Sequence, residues 1–267
     1  MLRSLWLNTI LFVQGALLSY VALFTWLRPV TYLASKVMMP LAQILFFSFL
    51  GMYATSSNDA TYYVIGNAVQ LAAVSGIFGV TLSVGGERWS GTLIYIFGTP
   101  ANRLAIFVGR AFFHVIDGIL GVFIGFAWGV LLLGLDLSHT DGWGLLLAVL
   151  ITTFSTSGLG LLLGCVSLVS LDTMFVNNTA YFLLLVFSGA NVPIANLPPW
   201  MQAISWGLPL TRGIAAARAL IAGSPLAEVA PLLAGEAVLG VVYVFLGYVL
   251  FRWFEFQARR RGTLEAF

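Results

Sequence analysis

From Trp143 to Val169 the chain carries no Asp, Glu, Lys or Arg, and other long runs approach the same purity. Wound as a helix, a run of that length matches the roughly 30 Å of hydrocarbon in a bilayer, and it is far longer than a barrel strand needs. Apolar segments fall at 5–27, 37–52, 62–84, 104–134, 143–169, 173–189 and 231–253. Charged residues make up 8% of the 267 positions, whereas soluble domains use about a quarter, so a hydrated surface cannot be assembled. The expected class is an all-α integral membrane protein.

Polar connectors separate the runs: Arg28-Pro29, the Ser56–Asp59 turn, residues 85–103, residues 136–142, Asp172, and a long piece over 191–230. If all seven runs cross from an inside amino terminus, Arg88, Arg103 and the Arg259-Arg260-Arg261 tail all face outward, against the positive-inside bias. If 5–27 lies in the interface, six spans follow. The 85–103 connector and the tail then fall inside, while Asp59, Asp136, Asp141 and Glu228 fall outside. Seven spans with an outside amino terminus also satisfy the charges, apart from Arg3. Asn8 and Gln14 weaken a membrane crossing by 5–27 without deciding it. No small-residue cleavage site marks the first run as a removable leader.

The 191–230 piece reads as two short helices. Pro199 suits a first helical turn, Pro209 interrupts, and Gly223 ends the second helix. With Trp200 and Trp206 at interface depth, the expectation is a helical hairpin dipping into the outer leaflet.

Several chemistries are excluded. The lone lysine, Lys36, lacks a preceding glycine-rich loop, so no nucleotide-binding P-loop is present. Cys165 alone gives neither a disulfide nor a thiolate metal site, and His114 and His139 are too far apart in sequence to suggest a metal motif. Ser155, Ser157 and His114 invite comparison with an intramembrane protease, but serines in membrane helices more commonly pack or bond locally.

Ordered motifs say more. The run Glu87-Arg88-Trp89-Ser90-Gly91-Thr92-Leu93, followed by Gly98-Thr99-Pro100, resembles the ER-x-x-GTL…TP connector of ABC-2 type permeases. Ser188-Gly189-Ala190-Asn191-Val192-Pro193, Leu197-Pro198-Pro199-Trp200 and Leu208-Pro209-Leu210-Thr211 resemble the last extracellular region of that family. The likeness extends over roughly 28–252.

The resemblance implies an interfacial elbow helix at 1–30, a six-span domain at 31–253 and a cytoplasmic basic tail at 254–267. Both termini would lie in the cytoplasm of a bacterial plasma membrane. It also implies a coupling helix in which Glu87, Arg88, Trp89, Gly91, Thr92, Pro100 and Arg103 meet a separate P-loop ATPase. Two copies of that ATPase would carry ATP and Mg. The chain itself would need no cofactor or metal and would bind no nucleic acid. A second permease, identical or homologous, would complete an exporter for an amphiphilic drug, antibiotic, peptide or lipid-like molecule. The competing class is an ATP-independent secondary transporter or channel, against which stand the absence of an internal repeat and the scarcity of mid-membrane charge.

Within 104–134, Arg110 and Asp117 continue a seven-residue spacing from Arg103, and His114 falls on the same stripe. Asp117 lies roughly 20 Å along the helix from Leu104, where a lone carboxylate costs about 2.5–3.5 kcal/mol. It therefore needs water or a partner, which His114 can supply. The stripe reads either as a path lining or gate, or as an interhelical bond that orients the bundle. Asn177 and Asn178, near Asp172, are candidates for the inner mouth of a path. Gly121, Gly125 and Gly129, then Gly160 and Gly164, are spaced for close helix approach, expected between the third and fourth spans. Glu236 is expected to reach the outer interface.

Overall fold

The computed structural model describes residues 6, 9–17, 28–89, 91, 103–167 and 172–261, and among these every regular element is helical. Among the described residues, five helices are long and apolar enough to cross a membrane: Pro29–Thr55, Thr61–Gly86, Ala111–Leu133, Gly142–Ser167 and Leu226–Gln257. In order, the elements are α1 (Pro29–Thr55), α2 (Thr61–Ala73), a π-helical stretch (Val74–Gly79), α3 (Val80–Trp89), α4 (Arg103–Leu133), α5 (Gly142–Ser167), α6 (Thr173–Phe187), a 3₁₀ turn (Ile194–Asn196), α7 (Pro199–Gly207), α8 (Thr211–Ile221) and α9 (Leu226–Arg261). Helix α6 has 15 residues, about 22 Å at 1.5 Å per residue, shorter than the hydrocarbon is thick.

Local chemistry sets the ends. Pro29 occupies the first turn of α1, where its missing N–H is no loss. The Asp141 carboxylate accepts from the N–H groups of Trp143 and Gly144, both at 3.1 Å, and so caps α5. At the start of α6, Asp172 accepts from Phe175 N–H at 2.9 Å. In the turns at the far end from the Arg-rich tail, hydrogen bonds hold two carboxyls below their usual range. Asp59 is held by the Thr61 hydroxyl and N–H, and Asp136 by the Ser138 N–H and hydroxyl.

The second span is the hub. Buried residues fill 72% of its most apolar window, against 61% for α5 and 22% each for α1 and α9. Val64, Ala68, Leu71, Ala72 and Ile77 lie within the main core cluster. The glycine stripes are intramolecular, yet they serve the second span rather than joining the third to the fourth. A Cβ on Gly125 would meet Leu71 Cδ1 at 2.7 Å and Ala68 Cα at 3.1 Å, one on Gly129 would strike Val64, and Gly121 faces Leu71 and Lys36. From the other side, Gly160 sits against the Gly76 carbonyl and Gly164 against Val84 Cβ at 2.8 Å. Small residues on α4 and α5 therefore let both helices close on the one between them.

The amino-terminal residues 9–17 are helical and touch α4: the Phe12 carbonyl lies against Gly109, and the Phe12 and Phe112 rings are 5.4 Å apart. The Glu87-Arg88-Trp89 segment continues the helix of the second span, and Gly91 then takes a φ of +66°, the left-handed turn that commonly ends helices. The side chains of Glu87, Arg88, Trp89, Arg103 and Arg110, together with Thr92 and Pro100, lie outside the described residues.

Candidate functional site, a buried polar cluster between three spans

Two turns into α1, Tyr32 and Lys36 stand four residues apart and so share a face. That face meets Asp117 of α4. Lys36 Nζ lies 2.5 Å from Asp117 Oδ2, Tyr32 donates its hydroxyl to Oδ1, and Ser75 donates to Oδ2 at 2.5 Å. Lys36 also donates to Ser75 Oγ at 3.1 Å. The Lys36 and Asp117 side chains are only 16% and 10% exposed. A carboxylate with three donors and an ammonium with two acceptors is the arrangement that makes buried charge tolerable.

Backbone irregularities support the cluster. Ser75 belongs to the π-helical stretch, whose extra residue per turn turns a side chain off the regular face. Pro40 lies inside α1, so the Lys36 carbonyl has no intrahelical N–H to receive. Trp128 donates its indole N–H to the next carbonyl, that of Val37, at 3.0 Å.

His114 is not the partner of Asp117. Its Nε2 lies 2.7 Å from Ser83 Oγ, whose hydroxyl donates to the Gly79 carbonyl at 2.9 Å, and the ring packs on Gly79. Ser83 bonds the Gly79 carbonyl one turn back in its own helix, as serines in membrane helices commonly do, and the pair reads as packing between the second span and α4. Ser155 and Ser157 are buried in α5.

Asn177 and Asn178 point in different directions, as adjacent helical residues do. Asn177 is fully buried, and neither its amide nitrogen nor its oxygen has a hydrogen-bond partner among the described residues. Asn178 is exposed beside Phe175 and Phe182. Sequence reasoning missed Lys36, Tyr32, Ser75 and Ser83. The available signal was the only lysine of the chain, next to an apolar run, one turn after a tyrosine.

A second polar set closes the opposite end. The Arg218 guanidinium lies 3.5 Å from the Tyr62 ring centroid and donates to the carbonyls of Gly189 (2.9 Å), Tyr62 (3.0 Å) and Ala190 (3.1 Å). Asn67 donates to Asn191 Oδ1 at 2.8 Å. Glu236, expected at the interface, is instead fully buried, and its Oε1 accepts from Leu210 N–H at 2.8 Å. Leu210 has a φ of +80°, a strained value for a leucine, directly before α8. The carboxylate therefore reaches over from α9 to the start of another helix, where negative charge is favoured. Glu236→Leu is expected to leave that N–H unsatisfied and cost about 1–3 kcal/mol. Glu236→Gln, which keeps an acceptor, is expected to lose less. Thermal unfolding of the purified protein checks the ranking, and equal melting temperatures for the two variants would refute it.

A family model for the ABC-2 type transporter matches residues 15–222, well over half of the chain. The chain belongs to the ABC-2 type transporter family. No curated protein is similar enough to match it. The matched residues include α1, the 85–103 connector, the buried cluster and the α7–α8 pair. This chain is therefore a multi-pass membrane permease of an ABC-type transporter.

Proposed function

We propose that this permease forms half of an outward translocation path, paired with a second permease and driven by two copies of a separate ATPase in a bacterial plasma membrane. The carrying observation is the family match over residues 15–222, which spans both the connector and the outer helices. In this reading α6 counts as the fifth of six spans, its ends extended by polar neighbours. The 1–30 segment is the cytoplasmic elbow, α7 and α8 form a hairpin in the outer leaflet, and both termini are cytoplasmic. Glu87, Arg88, Trp89, Gly91, Thr92, Pro100 and Arg103 dock on the ATPase. Asp117 with Lys36, His114, Arg110, Asn177 and Asn178 makes up the polar lining of the inner path or its gate.

The cargo is an amphiphilic small molecule, peptide or lipid-like compound, in keeping with the short loops between the helices. Transport is conformational: nucleotide closes the ATPase pair, the connector moves, and the bundle opens outward. Co-purification from detergent of this chain with a P-loop ATPase of the ABC type from the same organism tests the assignment. A stable complex whose ATP hydrolysis exceeds that of the ATPase alone is expected. A monodisperse permease that binds no ATPase would instead favour ATP-independent transport.

A further inference from the structure

Helix α6 runs antiparallel to the second span in a steady register. At the outer end Ser188 donates to Gln70 Oε1 at 3.1 Å, and midway the Tyr181 and Phe78 rings lie 5.9 Å apart. At the inner end a Cβ on Gly85 would stand 3.5 Å from Thr173 Oγ1. Numbers fall along one helix as they rise along the other by nearly equal steps, which sets Asn177 opposite Thr81. The Thr81 hydroxyl is already given to the Gly160 carbonyl of α5, at 3.0 Å.

The face that α6 turns to the bundle is polar. Its buried residues are Thr173, Asn177 and Leu184, and Tyr181 and Ser188 continue the same stripe. Bonding along this seam is incomplete among the described residues. Both polar atoms of Asn177, the Thr173 hydroxyl, Gln70 Nε2 and Asn67 Oδ1 have no partner, although all four side chains are at most 1% exposed. Gln43 of α1 receives the Tyr181 hydroxyl at 3.0 Å, and its Nε2 is unpaired as well. Groups of this kind cost free energy in a dry, closed seam and are the usual anchors of internal water. None of them is charged, so they suit water better than an ion. On its other sides the second span is packed through glycines against Ala68, Leu71 and Val84, which gives water nothing to bond. The opposite face of α6 is exposed at Phe175, Phe182 and Val186, so the helix is held to the bundle chiefly through the seam.

We infer that the seam between α6 and the second span is a hydration site, opened by α6 parting from the second span so that water takes up the unpaired bonds of Asn67, Gln70, Thr173 and Asn177. The inference deepens the path proposed above, in which Asn177 already stands, by naming what enters beside it and which helix moves. Hydration of the seam does not require the ATPase.

The test uses the full-length permease alone in lipid nanodiscs, so a failed ATPase assignment leaves its outcome untouched. In a Cys165→Ser background, single cysteines replace Asn177 and Ser188 on the seam. Others replace Val80 and Ala68, which lie at nearly the same depths but face Gly160 of α5 and Gly125 of α4. Sulfonatoethyl methanethiosulfonate is charged and stays in water. It is expected to modify Asn177→Cys and Ser188→Cys about tenfold faster than Val80→Cys and Ala68→Cys, because a thiol in dry apolar surroundings is inert. Hydroxyl-radical footprinting of the wild type gives a reading that needs no variant. Tyr181 and Phe78 are expected to be oxidised several-fold faster than Phe126, buried in α4, and Phe182, exposed on the far side of α6. Seam cysteines no faster than their controls would overturn the inference, and so would a Tyr181 as slow as Phe126. Modification of Ser188→Cys alone would confine water to the outer end and overturn a seam that opens along its length.

Discussion

Glu87→Arg is expected to strip the ATPase from the purified complex while the permease remains folded and monodisperse. Glu87 lies where the second-span helix runs past the apolar window and ends before Gly91, the place proposed for docking of the ATPase. Removing one member of a charge pair buried at an interface costs about 2–5 kcal/mol, and reversing its sign adds repulsion. The expected loss of affinity is thus at least about thirtyfold, enough to empty the complex during chromatography. Asp136→Arg is the control, because Asp136 lies exposed in the turn between α4 and α5, on the opposite side of the membrane in the proposed topology. It should leave the ATPase bound. Retention of the ATPase by Glu87→Arg would remove Glu87 from the docking surface.

The second large effect concerns the ion pair. Lys36→Met leaves Asp117 with only Tyr32 and Ser75 as donors, and breaking a buried pair from one side costs about 3–5 kcal/mol. Asp117→Leu strands the ammonium and should be as damaging. Together, Lys36→Met and Asp117→Leu exchange two charges for packed hydrocarbon, a swap that is often neutral or stabilising. Thermal unfolding of the three variants should therefore show strong non-additivity, with the double variant near the wild type. Substrate-stimulated ATP hydrolysis then separates gate from brace. A stable double variant without turnover is expected for a path lining, and full turnover would make the pair a brace.

Much of the fold was legible because lipid is a simple solvent: uncharged runs mark spans, and polar residues mark connectors. Five of the predicted spans have counterparts among the long helices. The remaining one, 173–189, appears as the shorter α6. The site was less legible. Beginning the first span at Val37 put Lys36 in a connector, whereas the helix starts at Pro29 and carries Lys36 about 10 Å inward. Periodicity along α4 drew attention to His114 as the nearest partner of Asp117, because sequence displays neighbours within a helix and hides those between helices. The glycine stripes were expected to join the third and fourth spans, whereas these glycines face the second, because spacing alone does not name the facing helix. Glu236 was placed at the interface from its position near a helix end. Its actual role depends on a turn at Leu210, 26 residues earlier, which no local pattern reveals.

The second span is surrounded on most sides, while α1 and α9 present large apolar faces outward. The 85–103 connector leaves directly from that enclosed helix. A push delivered there is applied to the axle of the bundle rather than to its rim. At its far end the same axle is pinned to the 189–191 turn and α8 through Tyr62, Asn67 and Arg218. In the proposed mechanism, a displacement at the connector passes to the far side of the bilayer through this one continuous span, by way of its π-helical stretch at Val74–Gly79.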